Sequence, residues 1–261
     1  MVQSQIFIKE KTSSKGLNME KRNLYINEIE KLITQIKEHE LENIHIAANL
    51  IINSFINDGW LYVFGTGHSH MVAEEFFYRA GGLAKVRPIF ETNLMLHESA
   101  IKSTSLERLT GYAEQILFNY KLNKNDTILI ASNSGRNAVP IEVANIARDI
   151  GTKVIVLTSM NHSKAVNSRH VSNKKLYEFA DVVIDNHGVY GDACINYLST
   201  KVASTSTVIN SMIVNCIISE IAQISESKHF NIEFFTSSNS NQGEQENAKL
   251  INKYKSLVRS L

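Results

Sequence analysis

Three short polar segments hold most of the side chains able to do chemistry, and each follows a run of apolar residues. They are Gly65-Thr66-Gly67-His68-Ser69-His70, Ser132-Asn133-Ser134-Gly135-Arg136-Asn137 and Thr158-Ser159. Hydroxyl and amide side chains donate hydrogen bonds without adding a fixed charge. Backbone N–H groups at a helix N-terminus, together with the helix dipole, favour an anion. Gly135 lets the backbone turn tightly around such a group. Pro140 falls in the first turn of the helix that follows, which is compatible with Asn137 as its N-cap. The expectation is a phosphate cradle at Ser132, Asn133, Ser134, Gly135, Arg136 and Asn137. Ser and Asn are also ordinary N-cap residues, and the spacing alone leaves that alternative open.

Gly65-Thr66-Gly67 invites a dinucleotide reading, with Glu91 as the ribose acceptor. The third glycine of that fingerprint falls on His70, whose bulk opposes close helix–strand packing. No Gly-Lys-Ser/Thr sequence follows a glycine-rich turn, so a P-loop is excluded.

The elements that must position these segments follow from periodicity. Apolar residues recur at helical spacing from Glu20 to Asn57, which predicts two helices with a break near Glu38–Glu40. Short β-branched runs then alternate with helical patterns. Strands are predicted at Trp60–Phe64, Lys85–Ile89, Thr127–Ala131, Val154–Leu157 and Val182–Ile184. Helices are predicted at Ser69–Arg79, Leu106–Asn119, Asn137–Ile150 and Ser163–His170. Unalternating apolar strands are covered on both faces, and strand–helix–strand order gives a parallel sheet. The fold class is therefore α/β, a doubly wound five-stranded parallel sheet sandwich with N-terminal helices and a C-terminal helical extension. That extension comprises a long apolar helix at Ser204–Ile224, a polar loop at Phe230–Gly243 and a final helix at Glu244–Leu261. Residues 1–18 lack a period and are expected to form a disordered extension, with a single domain over 19–261.

Composition narrows the function classes. The chain has 261 residues, 27 Lys+Arg against 26 Asp+Glu and a formal net charge of +1, so it lacks the basic excess of a nucleic-acid-wrapping protein. Two cysteines, Cys194 and Cys216, build neither a disulfide framework nor a Cys-rich zinc site. The longest apolar stretch, Val208–Ile218, is interrupted by Asn210, Ser211 and Asn215, so no membrane span is expected. The N-terminal residues lack the pattern of a signal peptide, and the expected location is cytoplasmic.

Taken in order, FGTGHSH, FYRAGGLAKVRPI, LMLHE, ERLTGYA, ASNSGRN, GDA and STSTV resemble a sugar isomerase (SIS) domain, specifically the single-domain phosphosugar isomerase group. The resemblance runs from about Met19 to the C-terminus. It implies a sugar phosphate as the small-molecule partner, held by Ser132, Ser134 and the amides that follow. Asn137 stands where many relatives carry Ser or Thr. Gly65, Thr66, Gly67, Ser69, Thr158 and Ser159 would line the sugar, joined by Asp192, Thr205 and Ser206. Turn or helix capping is the alternative for those last three. Arg136 would either reach the phosphate or lie in solvent.

An aldose–ketose isomerisation of the kind the resemblance implies needs a base that moves a proton between adjacent carbons and a group that opens the sugar ring. A carboxylate and an imidazole suffice, with no cofactor. The candidates are His97, Glu98, Glu75 and His68. His97 and Glu98 match a ring-opening histidine and an acid–base glutamate of SIS-domain enzymes, with helix capping by Glu98 as its alternative. Two departures are visible. Arg79 stands ten residues past Ser69, where phosphoheptose isomerases carry a catalytic glutamate. Asn210 and Asn215 occupy the late helix where those enzymes carry a histidine. No metal is expected. The resemblance also implies a homodimer or homotetramer, in which His68 or the Thr236–Glu244 loop would complete a neighbour's pocket. A second class of function remains on the page, a phosphosugar sensor without catalysis. No basic recognition helix precedes the first strand, so a DNA-reading form of that sensor is not expected.

Overall fold

The computed structural model describes residues 20–261. The expected extension at 1–18 lies outside the described residues. Two helices come first, α1 (Lys21–His39) and α2 (Leu41–Ile56), joined at Glu40 where the pattern placed the break. The sheet strands are β1 (Leu61–Gly65), β2 (Val86–Pro88), β3 (Thr127–Ala131), β4 (Lys153–Thr158) and β5 (Val182–Asp185). They pair in parallel in the order β2-β1-β3-β4-β5. This is the doubly wound sandwich that the buried apolar runs predicted.

Successive strand residues point to opposite faces, and both faces are packed. Leu61, Val63, Leu129, Ala131, Ile155 and Leu157 meet residues of α1 and α2, of a short helix α3 (Met71–Phe76), and of the late helix described below. Tyr62, Phe64, Ile128, Ile130, Val154 and Val156 meet the other layer, together with Tyr254 and Val258 near the C-terminus.

The connections differ from the periodic expectation in ways that matter for the rim. The helix expected at Ser69–Arg79 is a 3₁₀ turn, Gly67–His70, followed by α3, which stops at Phe76. Tyr78 has φ 45°, and the chain turns so that Gly81 N–H and Ala84 N–H bond to the carbonyls of Phe235 and Glu233. The helix expected at Leu106–Asn119 is the shorter α5 (Tyr112–Leu117), and a helix that the periodicity did not predict, α4 (Ala100–Leu106), comes just before it. Gly111, at φ 83°, breaks them apart and its N–H is held by the Glu142 carboxylate. Helix α6 (Ala138–Ile150) is as expected, whereas α7 (Met160–Lys164) replaces the helix predicted at Ser163–His170, because Ser159 caps it earlier.

A hairpin was missed as well. β6 (Ala193–Tyr197) and β7 (Thr200–Ser204) form an antiparallel hairpin after the sheet. Apart from Ile195 its strands are mostly exposed, so no buried apolar run betrays them. Helix α8 (Ser206–Ser227) and helix α9 (Gly243–Tyr254) end the chain, the latter shorter than its Glu244–Leu261 pattern. By length and mean hydropathy, 1.4 over its most apolar window, α8 is long and apolar enough to cross a bilayer. Ile209, Ile213, Val214, Ile217 and Ile221 are buried in the packed layer beside the sheet, as in a core helix.

Candidate functional site

Strand register places the polar loops. Gly65 pairs with Ala131, Ala131 with Leu157 and Thr158 with Asp185, so β1, β3, β4 and β5 end along one rim. In this strand order the crossover direction reverses between β1 and β3, and ligands of such sheets bind outside the carboxyl ends at that point. The loops at 65–70 and 132–137 therefore leave from the two strands that flank the switch point.

The β1 loop is tightly folded. A Cβ on Gly65 would lie 2.3 Å from the Ser69 carbonyl oxygen, so no side chain fits there. Ser69 N–H bonds back to the Thr66 carbonyl at 2.9 Å. His70 is buried, with Nδ1 against the Gly67 carbonyl and Nε2 3.2 Å from Glu74 Oε1. The imidazole of His97 stands edge-on to His70, ring centres 5.2 Å apart, which brings that predicted residue to the base of the loop. His68 is exposed and, with Ser69, Ser206, Asn210 and Ser211, lines a small cleft between this loop and α8.

The β3 loop turns at Gly135, which has φ 53°. Even apart from φ, a Cβ there would press on Leu176 Cβ at 3.1 Å and Ser163 Oγ at 3.2 Å. Ser132 Oγ accepts from Gly135 N–H at 3.2 Å, a turn bond within the loop. Asn137 occupies the N-cap position of α6, yet its side chain makes no cap bond. Its Oδ1 accepts from Arg169 instead, at 2.9 Å. Arg136 Nε donates to the Asn167 carbonyl at 2.9 Å. The Ser134 side chain is half-buried in the loop between them.

Thr158 and Ser159 are fully buried and shape the rim from below. Thr158 Oγ1 donates to the Ser132 carbonyl at 2.7 Å, and Ser159 Oγ to the Gly188 carbonyl at 2.6 Å. Asp192, at φ 68°, accepts from Thr205 N–H at 3.0 Å, Ser206 N–H at 2.8 Å and Ser206 Oγ at 2.7 Å. That carboxylate caps α8 and closes the base of the hairpin. Glu75 is half-buried, paired with Arg79 and bonded by Asn215 Nδ2 at 2.7 Å. This ties together two of the positions that departed from the phosphoheptose isomerase pattern. Glu98 is exposed beside Lys102, 3.1 Å away, and hydrogen bonds from Lys102 and Thr92 hold its carboxyl below the ordinary glutamate range. The cap of α4 is Ser99, which accepts from Lys102 N–H, so Glu98 is not a helix cap.

Two residues that sequence reasoning did not single out, Glu107 and Asn186, join the loops. Glu107, just past α4, accepts from Thr66 Oγ1 through Oε2 at 2.9 Å, while its carbonyl accepts from Val139 N–H in the first turn of α6 at 3.1 Å. It therefore bridges the two loops at the switch point. Its signal was its place in the ERLTGY stretch, ahead of the glycine at the N-cap of α5. Asn186, fully buried, donates to Asn133 Oδ1 at 2.7 Å and to Asn210 Oδ1 at 2.8 Å. With Asn210 it links the β3 loop to α8.

The electrostatics around the β3 loop are positive. Burial, then the nearby charge of Arg136, pushes the Lys175 ammonium down to about 8. Burial and the charges of Arg136 and Arg108 lower Arg169, against which Glu107 acts. His162 is lowered by burial and by Lys175, and its Nδ1 and the Ser163 hydroxyl are buried without partners. Cations gathered with so few counter-charges suit an anionic guest. Among the described residues, no three His, Cys, Asp or Glu side chains gather as a metal-ligand group.

Comparison with known proteins gives the lineage. A family model described as the SIS domain matches residues 24–159. A UPF0309 protein of Thermoanaerobacter pseudethanolicus is 45% identical over 243 residues, covering 91% of this chain and 98% of that one. A UPF0309 protein of Listeria innocua is 40% identical over 234 residues, covering 89% and 95%. Among solved structures, a phosphoheptose isomerase from Neisseria gonorrhoeae superimposes with a TM-score of 0.53 at 17% identity, over 77% of this chain and 98% of that one. One from Francisella tularensis gives 0.54 at 16%, over 78% and 97%. At such identities the two structures speak to fold alone.

Proposed function

Because this chain belongs to the SIS-domain family, we propose that it binds a sugar phosphate at the β1/β3 switch point and isomerises or epimerises it by proton transfer. The substrate class is an aldose, ketose or amino-sugar phosphate. The phosphate lies against Ser132, Ser134 and the amides of 133–137, inside the positive field of Arg136, Arg169 and Lys175. Gly65, Thr66, Gly67 and Ser69 form the sugar side of the cleft, while Thr158, Ser159, Asp192, Thr205 and Ser206 hold its walls.

The observation that carries this reading is the half-buried Glu107 carboxylate, hydrogen-bonded to Thr66 at the junction of the two loops. A base there removes the proton from the carbon beside the sugar carbonyl, and the enediol is reprotonated at the neighbouring carbon. His68, exposed in the loop, and His97, packed on the buried His70, serve ring opening. Glu98 and Glu75 are the other carboxylates assigned to proton transfer. Both already hold cations, Lys102 and Arg79, so Glu107 is the stronger base candidate. The reading includes a homodimer or homotetramer in the cytoplasm, acting without a cofactor.

The pairing of Glu75 and Glu98 also supports a second reading, a phosphosugar sensor without turnover. One experiment separates the two. Incubation in D2O with a panel of hexose, hexosamine and pentose phosphates should put deuterium on the carbon next to the carbonyl. Saturable binding without deuterium uptake by any of them would leave the sensor standing. Neither binding nor uptake would remove both.

A further inference from the structure

A second polar pocket lies away from the rim, on the sheet face of β2. Arg87 stands in register with Tyr62 in the middle of this edge strand. Its guanidinium stacks 4.0 Å above the Trp60 ring, and Nη1 donates to the Tyr62 hydroxyl at 2.7 Å. Its Nε is buried and has no hydrogen-bond partner among the described residues. An unpaired buried donor on a charged group is costly and calls for an acceptor. Beside it opens a cavity of about 280 Å³, whose other polar walls are Asn119, Tyr120, Lys121, Ser256 and Arg259. No acidic side chain among the described residues lines it. Among the described residues, Arg87, Lys121 and Arg259 each lack a carboxylate within ion-pair distance. Tyr62 and Tyr120 are both raised by burial, so they stay protonated and available as donors.

We propose that this pocket is a second anion site, taking a phosphomonoester on Arg87, Lys121 and Arg259 with the tyrosine hydroxyls as further donors. A guanidinium held flat on an aromatic ring keeps its edge free for a bidentate anion. The pocket is distinct from the rim: Tyr62 precedes Gly65 by three residues, about 10 Å along a strand. It is not isolated from the rim, because β2 runs on into the segment 89–98 that carries His97 and Glu98. Its occupant is thus placed to act as an effector rather than as substrate, and the proposal stands whether or not the rim site turns over a sugar.

The chain's single tryptophan, Trp60, lies against the Arg87 guanidinium and reports on the pocket through it. Its emission is followed during titration with inorganic phosphate and with ribose 5-phosphate, at constant ionic strength set by sodium chloride. A saturable change is expected for the wild type, at least tenfold weaker in the double variant Lys121→Ala/Arg259→Ala and unaltered in Ser134→Ala. Both exposed positions tolerate truncation, and circular dichroism verifies the fold. An unsaturable change, one that persists in the double variant, or one abolished by Ser134→Ala overturns the proposal.

Discussion

Glu107 illustrates how a single side chain is selected by position rather than by type. Glu98 was the more conspicuous carboxylate in the sequence, but it is exposed and its lowered pKa reflects a strong hold on Lys102 and Thr92. A general base works best when its pKa lies near the working pH, and such an ion pair pushes the other way. Glu107→Gln keeps the shape and the contact to Thr66 while removing the base. Turnover is expected to fall by about two orders of magnitude or more, with sugar-phosphate binding retained, as read by deuterium uptake and calorimetry side by side. A Glu98→Gln variant that loses as much, with Glu107→Gln unaffected, would transfer the role.

Lys175 belongs to the same scale. Its folded-state pKa, about 8, is below its ordinary 10.5. Between those values the unfolded chain binds a proton that the folded chain does not, so this group makes stability rise with pH across that window. Below about pH 8 both states are protonated and the group's destabilising effect is present in full. Urea unfolding of wild type and Lys175→Met should therefore diverge in the wild type's favour from pH 8 to 10, by up to about 1.4 kcal/mol per pH unit. A phosphate dianion beside the ammonium stabilises its charge and should flatten the difference. A pH-independent difference would mean that Lys175 is fully solvated.

Among the elements, the β6–β7 hairpin and the start of α8 are held as one unit by Asp192. Its carboxylate accepts two backbone N–H groups and the hydroxyls of Thr205 and Ser206. Removing an N-cap of this kind costs about 1–2 kcal/mol. Asp192→Ala should lower stability by that amount in chemical unfolding, and hydrogen exchange should quicken at the N-terminal turn of α8. An unchanged exchange pattern would show that the hairpin is held by other contacts. The broken helix at Gly111 and the shortened α3 are also features of this level. Glu107, the C-cap of α4, keeps helical backbone angles and bonds its N–H to the Ser103 carbonyl while its carboxylate reaches Thr66.

The molecule as a whole leaves an apolar surface on its first helices. Leu24, Ile26, Ile33, Leu41 and Ile46 on α1 and α2 are exposed, as is Val208 on α8. Ile26 and Ile33, seven residues apart, share one face of α1, and an exposed apolar face suits association. Light scattering at micromolar concentration is expected to give a dimer or tetramer, and Ile26→Glu/Ile33→Glu to give a smaller species with its helical signal intact. A monomeric wild type would withdraw the oligomer from the reading.

How far the sequence reached differs with the kind of residue. Trp60–Phe64, Thr127–Ala131 and Val154–Leu157 announced themselves, because a strand buried on both faces can use little but apolar side chains. Once those strands are parallel, the loops after them must share a rim, so the polar turns at Thr66 and Ser134 could be assigned to one place without coordinates. The hairpin at Ala193–Ser204 had no such signature, since an exposed ladder is held by backbone bonds that any side chain permits. Glu107 and Asn186 were equally silent, and Asn210 stood out only as a departure from the phosphoheptose isomerase pattern. Their importance lies in contacts across 41, 53 and 24 residues of chain, made only when packing of α4, β5 and α8 brings their ends to the rim. Hydrophobic periodicity is local and writes itself into sequence, whereas the partner of a polar group is settled by where the rest of the chain comes to lie.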